Sequence, residues 1–247
     1  MSRKLHTQMN NPTNFHFPYK EEFEVEGKTH HYEDIINILA PYISEERKRK
    51  IDQVISERTF GITTVLEKLC DEGNINAVMR SSESLGFSSM HIVSASKIKR
   101  TRSISKGSDK WVDIHYWEDI EDNILELKKQ SFQVIATHLN EDAVRIDQID
   151  FSKPTAIIFG SEQEGVSKKA LELADQTMII PMKGFSQSFN ISVASAITYY
   201  HIAHYRQQNG LSSELNDRQK SIMRASYYLR STSLAAKYIS YHSQTST

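Results

Sequence analysis

The sequence predicts an α/β protein built on a parallel sheet with helices on both faces. Two observations predict it. Apolar runs of strand length alternate with segments of helical period along most of the chain, the pattern of successive βα units. Two of those runs also lead straight into polar, Gly-bearing segments, Phe159-Gly160-Ser-Glu162-Gln-Glu164-Gly165-Val-Ser167 and Ile180-Pro-Met182-Lys-Gly184-Phe-Ser-Gln-Ser188-Phe-Asn190-Ile-Ser192. In an open α/β sheet, ligands bind where strands end. A third segment of similar character, Asn74-Ile-Asn-Ala-Val-Met-Arg80-Ser-Ser-Glu83-Ser-Leu-Gly86-Phe87, precedes them. Three such loops in one chain suggest a single composite site.

Residues 1–30 are polar without clear period and read as a tail or irregular arm. A first helix carries Ile35, Ile36, Ile38 and Leu39 and stops before Pro41. Ser44 with Glu45 and Glu46 forms an N-cap and acidic first turn for a second helix. There Ile51, Val54 and Ile55 form one apolar stripe and the basic side chains face out. Thr63–Leu69 is a strand, 71–74 a turn cluster, and 75–85 a helix stopped by Gly86. A short strand follows at 90–94, then a Ser- and Lys-rich basic loop at 97–110. Helix 120–130, strand 132–137, strand 154–159, helix 167–174 and strand 177–181 alternate onward. A long helix runs from 191 to 208 with Gly210 just past its end, and a further helix covers about 213–229.

Composition narrows the function classes. The chain has 247 residues, 38% of them hydrophobic and 25% charged, enough for one large α/β domain plus a small appendage. No apolar run approaches the roughly 18–20 residues of a membrane span, and Met1–Gln8 lacks the apolar stretch of a secretory signal. A cytoplasmic location without membrane association is expected. The single cysteine, Cys70, excludes an intrachain disulfide and a multi-cysteine metal site. The ten histidines show no metal-ligand spacing, so no metal is expected. A net charge of −1 does not advertise nucleic-acid binding, yet basic residues cluster at Arg47, Lys48, Arg49, Lys50 and Arg58 and again at 97–110. Each run by itself reads first as a solvated face.

Known nucleotide and hydrolase signatures are missing. There is no Gly-x-Gly-x-x-Gly and no Gly-x-x-x-x-Gly-Lys-Ser/Thr. Ser161 does not sit in Gly-x-Ser-x-Gly. A nucleoside held against loop backbone stays possible.

The three polar segments resemble those of the SpoU (TrmH-type) RNA ribose 2′-O-methyltransferases. The matching patterns are Asn-x-x-Ala-x-x-Arg with Glu and Gly-Phe downstream, Gly-Ser-Glu-x-x-Gly-Val, and Ile-Pro-Met-x-Gly-x-x-x-Ser-x-Asn-x-Ser-Val-Ala, in that order over roughly residues 45–210. The lead-in from Arg47 to Glu67 and Ala136-Thr-His-Leu139 look most like the branch that methylates a D-loop guanosine of tRNA. The resemblance implies an α/β knot, a deep C-terminal trefoil, at 61–210. Helical extensions at 1–60 and 211–247 would flank it. It also implies S-adenosylmethionine as methyl donor and a homodimer whose site is completed across the interface.

Residue roles follow from the same resemblance. Thr137, Gly160, Ile180, Met182 and Phe189 would line the cofactor cleft. Gly160 and Gly184 would allow close backbone approach or positive φ. Arg80 would be catalytic, as an oxyanion and phosphate clamp or as a base perturbed by substrate. A plain Arg80–Glu83 pair is the structural alternative. Asn74 would bind RNA or cap its helix, Glu162 would organise Arg80 or the third loop, and Ser188 and Asn190 would fix that loop by hydrogen bonds. Arg47, Arg49, Arg58, Arg206 and the C-terminal arginines would contact RNA. The usual Ser-Leu-Asn of the third segment reads Ser188-Phe189-Asn190 here. The alternatives are the same chemistry on rRNA and a non-catalytic RNA-binding protein of the same fold. A nucleotide-dependent oxidoreductase is disfavoured by the missing glycine fingerprint.

Overall fold

The computed structural model describes residues 17–69, 71–94, 107, 110–211 and 214–245. Cys70 and nearly all of the basic 97–110 stretch lie outside the described residues. In chain order the strands are β1 (Glu22–Val25), β2 (Lys28–His31), β3 (Thr59–Glu67), β4 (Phe87–Val93), β5 (Asp113–Trp117), β6 (Gln133–Thr137), β7 (Val144–Arg145), β8 (Thr155–Phe159) and β9 (Gln176–Ile179). The α-helices are α1 (Tyr32–Leu39), α2 (Glu45–Ser56), α3 (Glu72–Ser84), α4 (Ile120–Lys129), α5 (Lys168–Leu173), α6 (Ile191–Gln208), α7 (Asp217–Ser231) and α8 (Ala235–Thr245).

Seven strands form one sheet in the order β5-β4-β3-β8-β6-β9-β7, every pair of them parallel. Strand side chains alternate between its two faces. Ile62, Leu66, Ile135, Ile157 and Phe159 pack with α3 and α6. Val65, Val134, Ala136, Ala156 and Ile158 pack with α4 and α5. The sheet therefore carries helices on both faces, as expected. The central strands β3, β4 and β8 are buried along their whole length, as strands of a parallel sheet covered on both faces are.

Local capping explains several helix starts. Ser44 caps α2 by accepting from Arg47 N–H, and Ser167 caps α5 by accepting from Ala170 N–H. Gly86 takes φ +87° after α3, and a Cβ there would stand 2.5 Å from the Glu57 carbonyl oxygen, so only glycine closes this turn.

The terminal segments are less irregular than expected. Residues 22–31 form the antiparallel β1–β2 hairpin, turned by Glu26 and Gly27 at positive φ. The helix placed at 213–229 runs from 217 to 231, and α8 follows it. The two ends meet: Ile35, Leu39, Ile51 and Ile55 share one apolar core with Met223, Tyr227, Tyr228 and Ile239.

Two of the arginines expected to contact RNA are structural. Arg58 and Arg206 are only 1% and 2% exposed. Arg58 donates to Glu83 Oε1 at 2.6 Å and to the carbonyls of Glu83 and Phe87. Arg206 pairs with buried Glu214, donates to the Phe151 carbonyl at 2.8 Å, and Glu214 in turn accepts from the Thr59 hydroxyl at 2.9 Å. With both guanidinium groups buried and bonded to internal acceptors, neither is presented to a phosphate. The C-terminal arginines are also engaged: Arg218 with Glu21, Arg224 with Asp52, and Arg230 with Asp113 and Tyr19. They fasten α7 to the N-terminal arm, to α2 and to β5.

Among the described residues, no helix is long and apolar enough to cross a membrane and no group of acidic, His or Cys side chains could hold a metal.

Replacing Arg206 by Ala should strand Glu214 without its cation and cost about 3–5 kcal/mol. Urea unfolding measures it, with exposed Arg49→Ala as the reference expected within about 0.5 kcal/mol of wild type. An unchanged midpoint for Arg206→Ala would return that side chain to the surface.

Candidate active site

All seven sheet strands run the same way, so the segments after β3, β6, β8 and β9 emerge at one edge. Those after β6, β8 and β9 enclose a cleft of about 430 Å³. Thr137, Gly160, Ile180, Met182 and Phe189, the five residues singled out for a cofactor, all line it, as do Glu162, Ser188 and Asn190. Apolar walls come from Leu139, Met178, Ile180, Met182, Phe189 and Ile191. An apolar cleft of this size with a few converging polar groups is the usual form of a small-molecule site. It fits a nucleoside carrying a short thioether chain.

The loop after β8 is closed on itself. Ser161 and Gly165 bridge, with Gly165 N–H donating to the Ser161 carbonyl at 2.9 Å. Gly165 takes φ +69°. A Cβ on Gly160 would lie 2.0 Å from the Gly165 carbonyl carbon. Gly160 is therefore required by loop closure rather than by a positive φ. Gly184 also lacks positive φ, and a Cβ there would meet open space. Neither glycine has the left-handed backbone the sequence allowed for.

Asn74 joins the three segments. Asp71, not Asn74, caps α3: its carboxylate accepts from Asn74 N–H at 2.6 Å. The helix thus begins three residues earlier than expected, and the Asn74 side chain is left free to reach outward. Its Nδ2 donates to Glu162 Oε1 at 2.6 Å, and its Oδ1 accepts a longer bond, 3.4 Å, from Asn190 Nδ2. Asn190 caps α6 and accepts from both the backbone and the hydroxyl of Ser192. Glu162 therefore organises Asn74 rather than Arg80. Of the two residues expected to fix the third loop by hydrogen bonds, Asn190 does so. Ser188 makes no such bond among the described residues.

Arg80 stands apart. It lies six residues beyond Asn74, about 9 Å along the helix and on another face. It is exposed, does not line the cleft, and has no hydrogen-bond or ion-pair partner among the described residues. The alternative Arg80–Glu83 pair is not formed, because Glu83 holds Arg58. Arg47 and Arg49 on α2 are also exposed, with the Arg47 guanidinium 5.0 Å from the Trp111 ring centroid.

The cleft also includes His138, Leu139 and Gln187, none of them assigned to the cofactor beforehand, although His138 and Leu139 lie in the Ala136–Leu139 segment that carried part of the resemblance. The signal was there for the first two: they directly follow strand β6, at the same sheet edge.

Comparison with known proteins fits this geometry. Residues 61–200 match the SpoU rRNA Methylase family. The tRNA (guanosine(18)-2′-O)-methyltransferase of Borreliella burgdorferi is 34% identical over 195 residues, 78% of this chain and 89% of that protein. The crystal structure of the TrmH/SpoU tRNA modifying enzyme of A. aeolicus aligns with a TM-score of 0.67 at 30% identity, covering 74% of this chain and 96% of that one. The AdoMet-bound rRNA methyltransferase from Sinorhizobium meliloti shares the fold, with a TM-score of 0.55 at 24% identity over 64% of this chain and 60% of that one. With its cleft, its three joined segments and a family match running from 61 to 200, this chain belongs to the SpoU rRNA methylase family.

Proposed function

We propose that the protein methylates the ribose 2′-hydroxyl of guanosine-18 in tRNA, with S-adenosylmethionine as donor. The observation that carries this is the joining of the three segments at one cleft by Asn74, Glu162 and Asn190. The relative named for this reaction matches across most of its own length, which favours tRNA over rRNA. Bound in the cleft, S-adenosylmethionine supplies an electrophilic methyl group. Leu139, Ile180, Met182 and Phe189 offer apolar contact for its adenosine, and Phe189 serves as a wall where the family usually has Leu.

The chain's own work is positioning and charge. Transfer needs the 2′-oxygen held near 3–3.5 Å from the methyl carbon and in line with it. The Asn74–Glu162–Asn190 bonds fix the polar rim where the ribose would sit. The Arg80 guanidinium, with no hydrogen-bond or ion-pair partner among the described residues, suits an RNA phosphate and a developing 2′-oxyanion. Arg47 and Arg49 add sequence-independent phosphate contacts.

Arg80 is outside its own protomer's cleft, so the reading includes a homodimer in which Arg80 of one protomer serves the cleft of the other. Support comes from α6. Val193, Ile197 and Tyr200 follow one another at helical spacing and are 45%, 36% and 67% exposed. Phe185 in the third loop is also fully exposed. Such a face calls for a partner, and α6 packs beside α3, which carries Arg80. The reading further holds that 61–210 is the methyltransferase domain with the family's trefoil knot, and that the enzyme acts in the cytoplasm.

Incubation with labelled S-adenosylmethionine and separate tRNA and rRNA transcripts should label tRNA at guanosine-18. Label in rRNA only would overturn the substrate. Arg80→Ala should lower kcat roughly 100- to 1,000-fold and leave cofactor affinity within about twofold of wild type; wild-type turnover would remove Arg80 from the chemistry. The double variant Ile197→Asp/Tyr200→Asp should sediment as a monomer and lose methylation. An active monomer would rule out a shared site.

A further inference from the structure

We propose that Glu67 is a positioning residue for the cleft, fixing the 160–167 loop relative to the start of α3. The proposal rests on the functional reading above. Glu67 ends β3 and is 1% exposed. A carboxylate is costly to bury unless it is hydrogen-bonded, so its place in a strand buried along its whole length calls for a reason.

Its Oε2 accepts from Ser167 N–H at 2.9 Å. That amide closes the loop that begins at Gly160 and carries Glu162. The backbone pairing of β3 with β8 ends at Leu66 opposite Phe159. Beyond it, side chains of Glu67 and Lys68 continue the link between the two segments. Lys68 takes φ +54°, and its Nζ lies 3.7 Å from Glu164 Oε2. Both members of that second pair are more than half exposed, and exposed pairs of this kind contribute little. The buried bond from Glu67 is the stronger anchor.

The geometry gives that anchor a consequence at the cleft. The Ser161–Gly165 bridge closes the near part of the loop, and Glu67 pins Ser167 at the far end. Glu162, between them, then meets Asn74 at 2.6 Å. Asn74 itself hangs from Asp71, four residues after Glu67. One side chain thereby sets the distance between the segment that lines the cofactor cleft and the helix that carries Arg80. The other oxygen, Oε1, is buried with no hydrogen-bond partner among the described residues. The charge is thus held by few bonds, and removing the Ser167 bond should be felt at the loop.

Glu67→Met keeps the length of the side chain and removes the acceptor, whereas Glu67→Gln keeps an acceptor oxygen. Calorimetric titration with S-adenosylmethionine should show Kd weakened roughly ten- to a hundredfold in Glu67→Met, and within about threefold of wild type in Glu67→Gln. Ile124→Ala, in the apolar layer on the same face of the sheet, should lower Tm without changing Kd, which separates positioning from general stability. Wild-type Kd in a folded Glu67→Met overturns the proposal. If Glu67→Met does not fold, amide exchange in the wild-type chain decides: a protected Ser167 amide supports the anchor, and exchange at the rate of a free amide overturns it. A wild-type chain that binds no S-adenosylmethionine overturns the functional reading, and this proposal with it.

Discussion

The parallel pairing of β3 with β8, which runs from Ile62 opposite Thr155 to Leu66 opposite Phe159, is the constraint on which the site depends. Parallel strands release their chains at the same edge of the sheet. The first and second polar segments, more than seventy residues apart in sequence, therefore start side by side. Asn74 can then reach Glu162 with a 2.6 Å bond, and the third segment arrives from β9 to complete the cleft. Reversing either strand would send its loop to the far edge. The same pairing explains why β3 and β8 are buried on both faces, with α3 and α6 over one and α4 and α5 over the other.

Buried charge joins this layer to the terminal helices. Arg58–Glu83 ties the entrance of β3 to the end of α3, and Arg206–Glu214 ties the end of α6 to the segment leading into α7. Each pair has further backbone or hydroxyl partners, which a buried ion pair needs if it is not to destabilise. Gly61 belongs to the same arrangement, since a Cβ there would stand 2.7 Å from Glu214 Oε2. The two chain ends, brought together over one apolar core, are held to the sheet by these contacts and by the ion pairs of α7.

What the fold leaves unsatisfied is as informative as what it satisfies. Most of the arginines that might have served RNA are matched internally, whereas Arg47, Arg49 and Arg80 stay on the surface. The stripe of α6 and Phe185 leave apolar surface exposed. Exposed cations and an exposed apolar face are what the dimer on RNA proposed above would need.

The sequence by itself determined the elements whose cause is local. Apolar stretches marked the central strands, Ser44 marked a helix start, Gly86 and Gly210 marked helix ends, and the second and third polar segments marked loops that meet at the cleft. It could not mark β5 or β7, because an edge strand such as Asp113–Trp117 is half exposed and has no apolar run to betray it. It placed Asn74 at the head of its helix because the true cap, Asp71, sat in what read as a turn. Only the tertiary structure decided which charges were buried. Arg58 meets Glu83 across 25 residues and Glu67 meets Ser167 across 100, and no local pattern reports such a partner. The chemistry of each side chain is written in the sequence, but its neighbours, and so its role, are set by how distant segments come to lie together.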